Sequence, residues 1–187
     1  MPVKGLKISP WAIHKQKWSV CTKCSLCKTR QHVVLVRGKL PADILFVSDA
    51  PGSSEDVIGK PMVGPAGHLL DHIIERAIKG RFDYCITNLI GCIPPKDGKK
   101  VAEPTEEAIK ACAPRLQEVV DMCRPLLIIC LGKIAGKHLP KRLPTNCQRI
   151  EISHPGFIHV SDVSKQALLV QQSIVAIEDA IAELVPF

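Results

Sequence analysis

Residues 43–78 read DILFVSDAPGSSEDVIGKPMVGPAGHLLDHIIERAI, and this stretch decides the fold. The apolar run at 43–48 is typical of a buried strand, and residues 66–78 repeat apolar side chains at helical spacing. The connection between them mixes glycines and prolines with acids and serines. Because connections longer than about 12 residues are usually functional, the stretch predicts a strand, a ligand-binding loop and a helix.

The same alternation of strands and helices continues along the chain. Three more strands are predicted at 83–88, 125–132 and 147–153, and three more helices near 9–21, 105–123 and 164–184. Buried strands separated by helices predict an α/β fold, a three-layer α/β/α sandwich around a mostly parallel four-stranded sheet. The polar stretch at 93–104 is predicted to be an exposed loop, and residues 1–187 to form a single domain.

Charge and hydropathy narrow the class of protein. The formal net charge is +7, which suits a polyanionic partner such as nucleic acid. Aromatic residues make up only 4% of the chain, which argues against an extended platform of rings for single strands. No apolar run reaches the roughly 18 residues of a membrane span, and the N-terminus lacks the apolar stretch of a signal peptide. We expect a cytoplasmic protein with no membrane contact.

Polar residues follow three of the predicted strands, namely Asp49, Asn88 and His154. Open α/β sheets bind ligands beyond the carboxyl ends of their strands, so these side chains are expected to share one crevice. Each of them alone has an ordinary explanation as a turn or loop residue. Their joint placement indicates a binding site.

The chain has nine cysteines, which in a cytoplasmic protein favour metal binding or buried thiols over disulfides. Cys21 and Cys24 have the C-x2-C spacing that presents two thiolates to one metal, so two further ligands must come from elsewhere. Zinc and iron–sulfur both remain open on this spacing. Buried thiols on apolar faces are expected at Cys85, Cys123 and Cys130, whereas Cys27 and Cys147 stay unassigned.

Six segments in order resemble the iron-sulfur (family 4) uracil-DNA glycosylases. They are CTKCSLCKTR, ADILFVSDAPGSSEDVIGKPMVGPAGHLLD, YCITNLIGCIPP, EPTEEAIKACAPRL, PLLIICLGKIAGKHL and ISHPG, and together they cover about residues 21 to 156. The resemblance implies a hydrolase that removes uracil from DNA in base excision repair. It also implies a 4Fe-4S cluster on Cys21, Cys24, Cys92 and Cys112 that staples loops together, with Cys27 as a spare thiol. DNA, single- or double-stranded, is the expected partner of a monomer.

The resemblance also implies roles for the strand-end residues. Asp49 would position water and offset the positive charge on the sugar, His154 would donate to uracil O2, and Asn88 would pair with N3–H and O4. Ala50, Gly52 and Met62 would complete the base pocket. Glu55 and Asp56 are further carboxylates or loop-stabilising groups, and the glycines at 64 and 67 predict a phosphate-binding edge at a helix N-terminus.

Contacts to the rest of the DNA are expected from residues outside the pocket. Ser53 and Ser54, with Lys133 and Lys137, would hold phosphates, although such lysines also occur on ordinary solvated faces. Phe157 is a candidate wedge for the gap that an extruded base leaves.

Four differences separate the sequence from the family pattern. Ser48-Asp49 stands where the family has Gly-Glu, and Met62 stands where it has an aromatic ring. The stretch after IPP lacks the expected Asn-Arg, and the segment before His154 is short and ends in HPG where the family has HPS. Methionine lacks the π-face that stacks on a base. Two alternatives therefore stay open: the same scaffold acting on another or modified pyrimidine, and a catalytically inactive iron–sulfur DNA-binding protein.

Overall fold

The structure is a computed structural model that describes residues 8–98 and 100–184. The helices are α1 (Pro10–Ser19), α2 (Ser53–Ile58), α3 (Pro65–Ile78), α4 (Glu106–Cys123), α5 (Lys133–Lys137), α6 (Pro155–His159) and α7 (Val163–Leu184), with a 3-10 turn at Ser25–Lys28. The strands are β1 (Arg37–Gly38), β2 (Ile44–Ser48), β3 (Tyr84–Asn88), β4 (Lys96–Asp97), β5 (Lys100–Val101), β6 (Leu127–Leu131) and β7 (Gln148–Ile152). No helix in these ranges is long and apolar enough to cross a membrane.

The central sheet has the strand order β1-β3-β2-β6-β7. The strands β3, β2, β6 and β7 are parallel, and they are the four strands that the sequence predicts. A fifth strand, β1, pairs antiparallel with β3 and was not predicted, because two residues carry no periodicity. Gly38 has φ +110°, and a Cβ on it would lie 2.4 Å from the carbonyl oxygen of Tyr84, so this edge strand requires glycine.

Helices cover both faces of the sheet, which confirms the three-layer sandwich. Alternate residues of a strand point to opposite faces, so Leu45 and Val47 pack with α4 while Ile44 and Phe46 pack with α3 and α7. The first face also buries Cys85, Cys123 and Cys130, as their apolar surroundings predicted. The Sγ atoms of Cys85 and Cys123 are 3.4 Å apart.

The prediction of a wholly exposed loop at 93–104 is wrong. Ile93 and Pro94 are buried, and β4 pairs antiparallel with β5 to form a short hairpin. Residues 101–104, at the end of the hairpin and just after it, line a cavity at the carboxyl ends of the parallel strands. Half of the residues in this stretch are lysines and prolines, which are typical of an exposed loop. Two strands of only two residues each leave no apolar pattern by which they could be predicted.

Candidate active site

A cavity of about 260 Å³ opens at the carboxyl ends of the parallel strands. Asp49, Asn88 and His154 all line it, as the strand-end rule predicts. The parallel register explains this, since Ser48 at the end of β2 pairs with Asn88 at the end of β3. The predicted pocket residues Ala50, Gly52 and Met62 line the same cavity, and so do Ser48 and Glu103, which were not predicted to face it.

Asn88 presents an unused hydrogen-bond donor to the cavity. The residue is 1% exposed, and its Nδ2 has no partner among the described residues. A buried amide without a partner is costly, so a ligand acceptor at this position would be strongly favoured. The backbone carbonyl of Asn88 accepts a hydrogen bond from the guanidinium of Arg115, which fixes the strand end.

The pKa of the Asp49 carboxyl group is raised towards neutral pH. Burial raises the pKa of its carboxyl group to about 6, the backbone N–H of Ala135 opposes this, and Glu103 adds repulsion. Its Oδ1 has no hydrogen-bond partner among the described residues. A carboxylate in this state is able to accept a proton from a water molecule near neutral pH.

His154 is neutral and its tautomer follows from its contacts. Burial lowers the pKa of the imidazole. The backbone N–H of Gly156 donates to Nδ1 at 2.9 Å, so the ring proton is on Nε2, which lies 2.9 Å from Ser48 Oγ. A Cβ at Gly156 would come within 3.0 Å of Nδ1, so glycine in the HPG motif permits this close bond.

Glu55 and Asp56 stabilise loops through their carboxylates, and Glu55 also lines the cavity. Glu55 accepts hydrogen bonds from the backbone N–H groups of Val63 and Gly64 through Oε1, and of Gly52 through Oε2. The two amides just before α3 are therefore taken by an internal carboxylate, which leaves only the first amides inside α3 for the predicted phosphate-binding edge, and that edge stays a prediction. The Asp56 carboxylate accepts from the backbone N–H of Gln31, which ties the cysteine-rich segment to the pocket loop.

Met62 forms part of the pocket wall in a fixed position. It is 6% exposed and has φ 53°, which is rare for a residue other than glycine. Its carbonyl oxygen would lie 2.0 Å from a Cβ on Gly67. Gly67 is thus required by the close approach of α3 to the loop and not by contact with a ligand.

The residues predicted to touch the rest of the DNA lie outside the cavity. Phe157 is 51% exposed on α6, the helix that begins directly after His154. The Nζ of Lys165 lies 5.0 Å from the centroid of its ring. Ser53 is exposed and Ser54 is half-buried. Lys133 and Lys137 are exposed on α5, the helix whose Ala135 N–H opposes the rise in the pKa of Asp49.

A second, narrow cavity is lined by the four cysteines of the predicted cluster, Cys21, Cys24, Cys92 and Cys112, whereas Cys27 does not line it. Arg30 approaches them, with its Nη1 3.5 Å from Cys92 Sγ. Within residues 8–98 and 100–184, no three His, Cys, Asp or Glu side chains are arranged to hold a single metal ion.

Arg115 provides the test of whether this cavity fits an anionic group. The residue is 1% exposed, donates to Leu89 O at 3.1 Å and Thr87 Oγ1 at 3.2 Å, and forms no ion pair with a carboxylate in the described part of the chain. Its Nε is buried without a partner there. Burial lowers the pKa of Arg115, and the thiols of Cys112, Cys92 and Cys21 oppose this shift. A buried guanidinium needs a negative counterpart, and metal-bound thiolates fit that need.

Sequence reasoning missed Ser48 and Arg115. Ser48 has a simple signal, because it is the last residue of a strand that ends at the cavity. Arg115 follows Cys112 by three residues and therefore shares its helix face, and an arginine on an apolar stripe predicts a buried charge.

The fold is that of a known structure. The chain superposes on the crystal structure of the wild-type SMUG2 protein of Pedobacter heparinus with a TM-score of 0.54, covering 75% of this chain and 76% of that one at 12% identity. The family model of the Uracil DNA glycosylase superfamily matches residues 36–174. The chain therefore belongs to the uracil DNA glycosylase superfamily.

Several relatives carry the name Type-4 uracil-DNA glycosylase. The protein of Saccharolobus solfataricus is 39% identical over 70% of this chain and 59% of its own length, and that of Pyrobaculum aerophilum is 35% identical over 70% and 64%. The protein of Archaeoglobus fulgidus is 38% identical over 64% of this chain and 58% of its own. The chain thus spans less than two thirds of the length of these relatives.

Proposed function

We propose that this protein is a DNA glycosylase that hydrolyses the N-glycosidic bond of uracil in DNA and so begins base excision repair. The observation that carries the proposal is the meeting of Asp49, Asn88 and His154 in one cavity of about 260 Å³. The names of the relatives, which are up to 39% identical over the matched part of the chain, support it.

The base must leave the DNA stack to reach such a cavity. The unstacking energy is recovered when the base is bound in a fitted pocket. The free Nδ2 of Asn88 matches the O4 acceptor of uracil, and the amide oxygen matches N3–H. Cytosine presents the opposite pattern at these two atoms, so the same amide orientation would reject it.

The chemistry separates charge. Breaking the bond from deoxyribose to N1 leaves positive charge on the sugar and negative charge on the base. The neutral imidazole of His154 is suited to stabilise the negative charge on the base oxygen O2 through its Nε2–H group, directly or by way of the Ser48 hydroxyl, and the Asp49 carboxylate is placed to orient water and to offset the charge of the sugar. Both groups are pre-set by burial and by contacts within the chain.

The surface around the cavity suits the DNA backbone. Lys133 and Lys137 stand exposed on the helix that contacts Asp49, with Ser53 and Ser54 on α2. Phe157 is exposed beside His154 and is placed to fill the gap left by the extruded base. The formal charge of +7 favours this contact over the whole molecule.

We propose further that Cys21, Cys24, Cys92 and Cys112 hold a 4Fe-4S cluster. When bound, such a cluster would cross-link the segments that carry these thiols. Its negative charge would also neutralise the buried guanidinium of Arg115, which has no carboxylate partner among the described residues. Arg115 would in turn hold the strand end at Asn88. Anaerobic purification followed by iron and sulfide analysis tests this assignment. A colourless protein with stoichiometric zinc would contradict it.

The function is tested with oligonucleotides that carry one uracil, single-stranded or paired with guanine. The wild type should generate abasic sites, whereas Asp49→Asn and His154→Ala should reduce the rate by about a hundredfold or more. A cluster-loaded wild-type protein that forms no abasic site with either substrate would end the proposal.

Met62 favours a second candidate, the release of another or modified pyrimidine. A thioether on the pocket wall is flexible and has no π-face, so it accommodates bulkier bases more readily than a ring does. If uracil is the substrate, we expect Met62→Phe to raise the rate of uracil release by a few-fold through stacking. Faster release of 5-substituted pyrimidines by the wild type, and loss of that release in Met62→Phe, would favour the second candidate.

A further inference from the structure

Ser48 lies between the polar groups of the candidate active-site cavity. It pairs in the sheet register with Asn88 on one side, and on the other side the His154 ring reaches across β6 to its hydroxyl. The residue is 1% exposed and lines the cavity. Ser48 therefore stands between the amide that would read the base and the imidazole that would stabilise it.

The direction of the bond between Ser48 and His154 is fixed by the third partner. Because the N–H of Gly156 donates to Nδ1, a neutral imidazole carries its proton on Nε2, and the Ser48 oxygen accepts that proton at 2.9 Å. A hydroxyl that accepts one hydrogen bond keeps its own hydrogen to donate. Among the described residues Ser48 Oγ makes no other hydrogen bond, so this hydrogen is available to a ligand in the cavity.

We propose that Ser48 is the hydrogen-bond donor through which His154 acts on the leaving base. Its hydroxyl accepts from His154 and donates to the pyrimidine oxygen on which negative charge develops. This inference rests on the proposed glycosylase function. In a chain of this kind each hydrogen bond polarises the next, so the far imidazole strengthens the donor that touches the base.

The reaction balances without a proton on the base. The C1′–N1 bond breaks and its electron pair leaves with the pyrimidine, which departs as an anion held by the hydroxyl. Water forms the new C1′–O bond and gives its proton to the Asp49 carboxylate. Neither Ser48 nor His154 gains or loses a proton, because both act as donors placed in advance at the site of charge.

The kinetic experiment compares three serine variants on single-turnover base release. Ser48→Ala should lower the rate by about tenfold or more with little change in DNA affinity, and Ser48→Thr, which keeps the hydroxyl, should retain most of it. Ser173→Ala is the matched control, since Ser173 is a buried serine on α7 whose hydroxyl bonds to Leu169 O within its own helix. A Ser48→Ala protein that releases the base at the wild-type rate would overturn the inference.

An NMR experiment on the imidazole gives a readout that does not need catalysis. In DNA-free wild type the His154 Nε2 proton should be visible and protected from exchange, and Ser48→Ala should remove that protection while His154 keeps the same tautomer. Added free uracil should shift the signal in the wild type and not in Ser48→Ala. An Nδ1–H tautomer would overturn the inference.

The two experiments separate this inference from the proposed function. If the wild type releases no base from any DNA, the glycosylase proposal fails, and the response of the His154 proton to free pyrimidine then decides the role of Ser48. If the wild type is active and Ser48→Ala is unimpaired, the function stands and the inference fails.

Discussion

Asp49 shows at the scale of one residue how burial tunes chemistry. Its carboxyl group has a pKa of about 6 because it is desolvated, while one backbone N–H partly offsets that effect. Its side chain is one methylene shorter than that of glutamate. The segment 101–104, which also lines the cavity, contributes the carboxylate of Glu103. Protonation of Asp49 therefore falls near pH 6, about two units closer to neutrality than that of an unperturbed aspartate.

Base release should depend on the ionisation of Asp49. The rate should rise about tenfold per pH unit below about pH 6 and level off above it, since only the carboxylate accepts a proton from water. Asp49→Asn should remove this rise along with most of the activity. A stopped-flow or quench-flow rate profile across the acid range measures both effects, and an unchanged profile in Asp49→Asn would assign the titration to another group.

The same shift predicts an effect on stability. The folded-state pKa of about 6 lies above the 3.8 of an unperturbed aspartate, so the folded protein binds this proton more tightly than the unfolded chain. Stability contributed by Asp49 is present in acid and is lost as pH rises through this window. Asp49→Asn should therefore raise Tm at about pH 8 and leave it unchanged at about pH 4, as measured by calorimetry. A lower Tm at the alkaline pH would contradict the assignment.

At the scale of elements, the sequence predicts the strands and helices that are long enough to show a regular apolar pattern. Strands β2, β3, β6 and β7 and helices α1, α3, α4 and α7 lie within two residues of their predicted bounds, because apolar or alternating runs mark the strands and caps or apolar stripes mark the helices. Asp49, Asn88 and His154 could be placed together from the strand-end rule alone. The hairpin β4–β5 and the anchoring of Glu55 could not, since they depend on contacts between residues far apart in space and not on any local pattern.

Glu55 should stabilise the pocket loop through its three backbone hydrogen bonds. Removal of the carboxylate leaves the N–H groups of Gly52, Val63 and Gly64 without their acceptor, so Glu55→Ala should lower the free energy of unfolding by about 2–3 kcal/mol. Urea denaturation measures the change. Glu75→Ala on the exposed face of α3 is the control, with an expected change within about 0.5 kcal/mol. Equal values for the two variants would contradict the anchoring role.

Arg115 should link the cysteine cavity to the base pocket. Arg115→Met removes the donors to Asn88 O, Leu89 O and Thr87 Oγ1, so it should lower the free energy of unfolding by about 3 kcal/mol or more. The iron content after purification should fall as well. Arg76→Met, at an exposed position on α3, should change neither quantity. Full stability and full iron content in Arg115→Met would contradict this link.

At the scale of the whole molecule, the excess of positive charge should act mainly through the face around the cavity. Lys133→Ala combined with Lys137→Ala should weaken binding to DNA of any sequence and reduce the slope of log K against log salt by about 2. Lys79→Ala is the control, because Lys79 ends α3 at the far end of the sheet and pairs with Glu178. Fluorescence anisotropy at several salt concentrations measures these slopes. An equal loss in the control would assign binding to net charge alone.

The contact between Gly67 and the Met62 carbonyl has a practical meaning for redesign. There is room for only a hydrogen atom between α3 and the loop at Gly67. The width of the candidate active-site cavity is therefore set by main-chain packing. Attempts to widen it for larger substrates should trim the thioether of Met62 and leave the neighbouring glycine alone, since a methyl group there would drive the loop out of place.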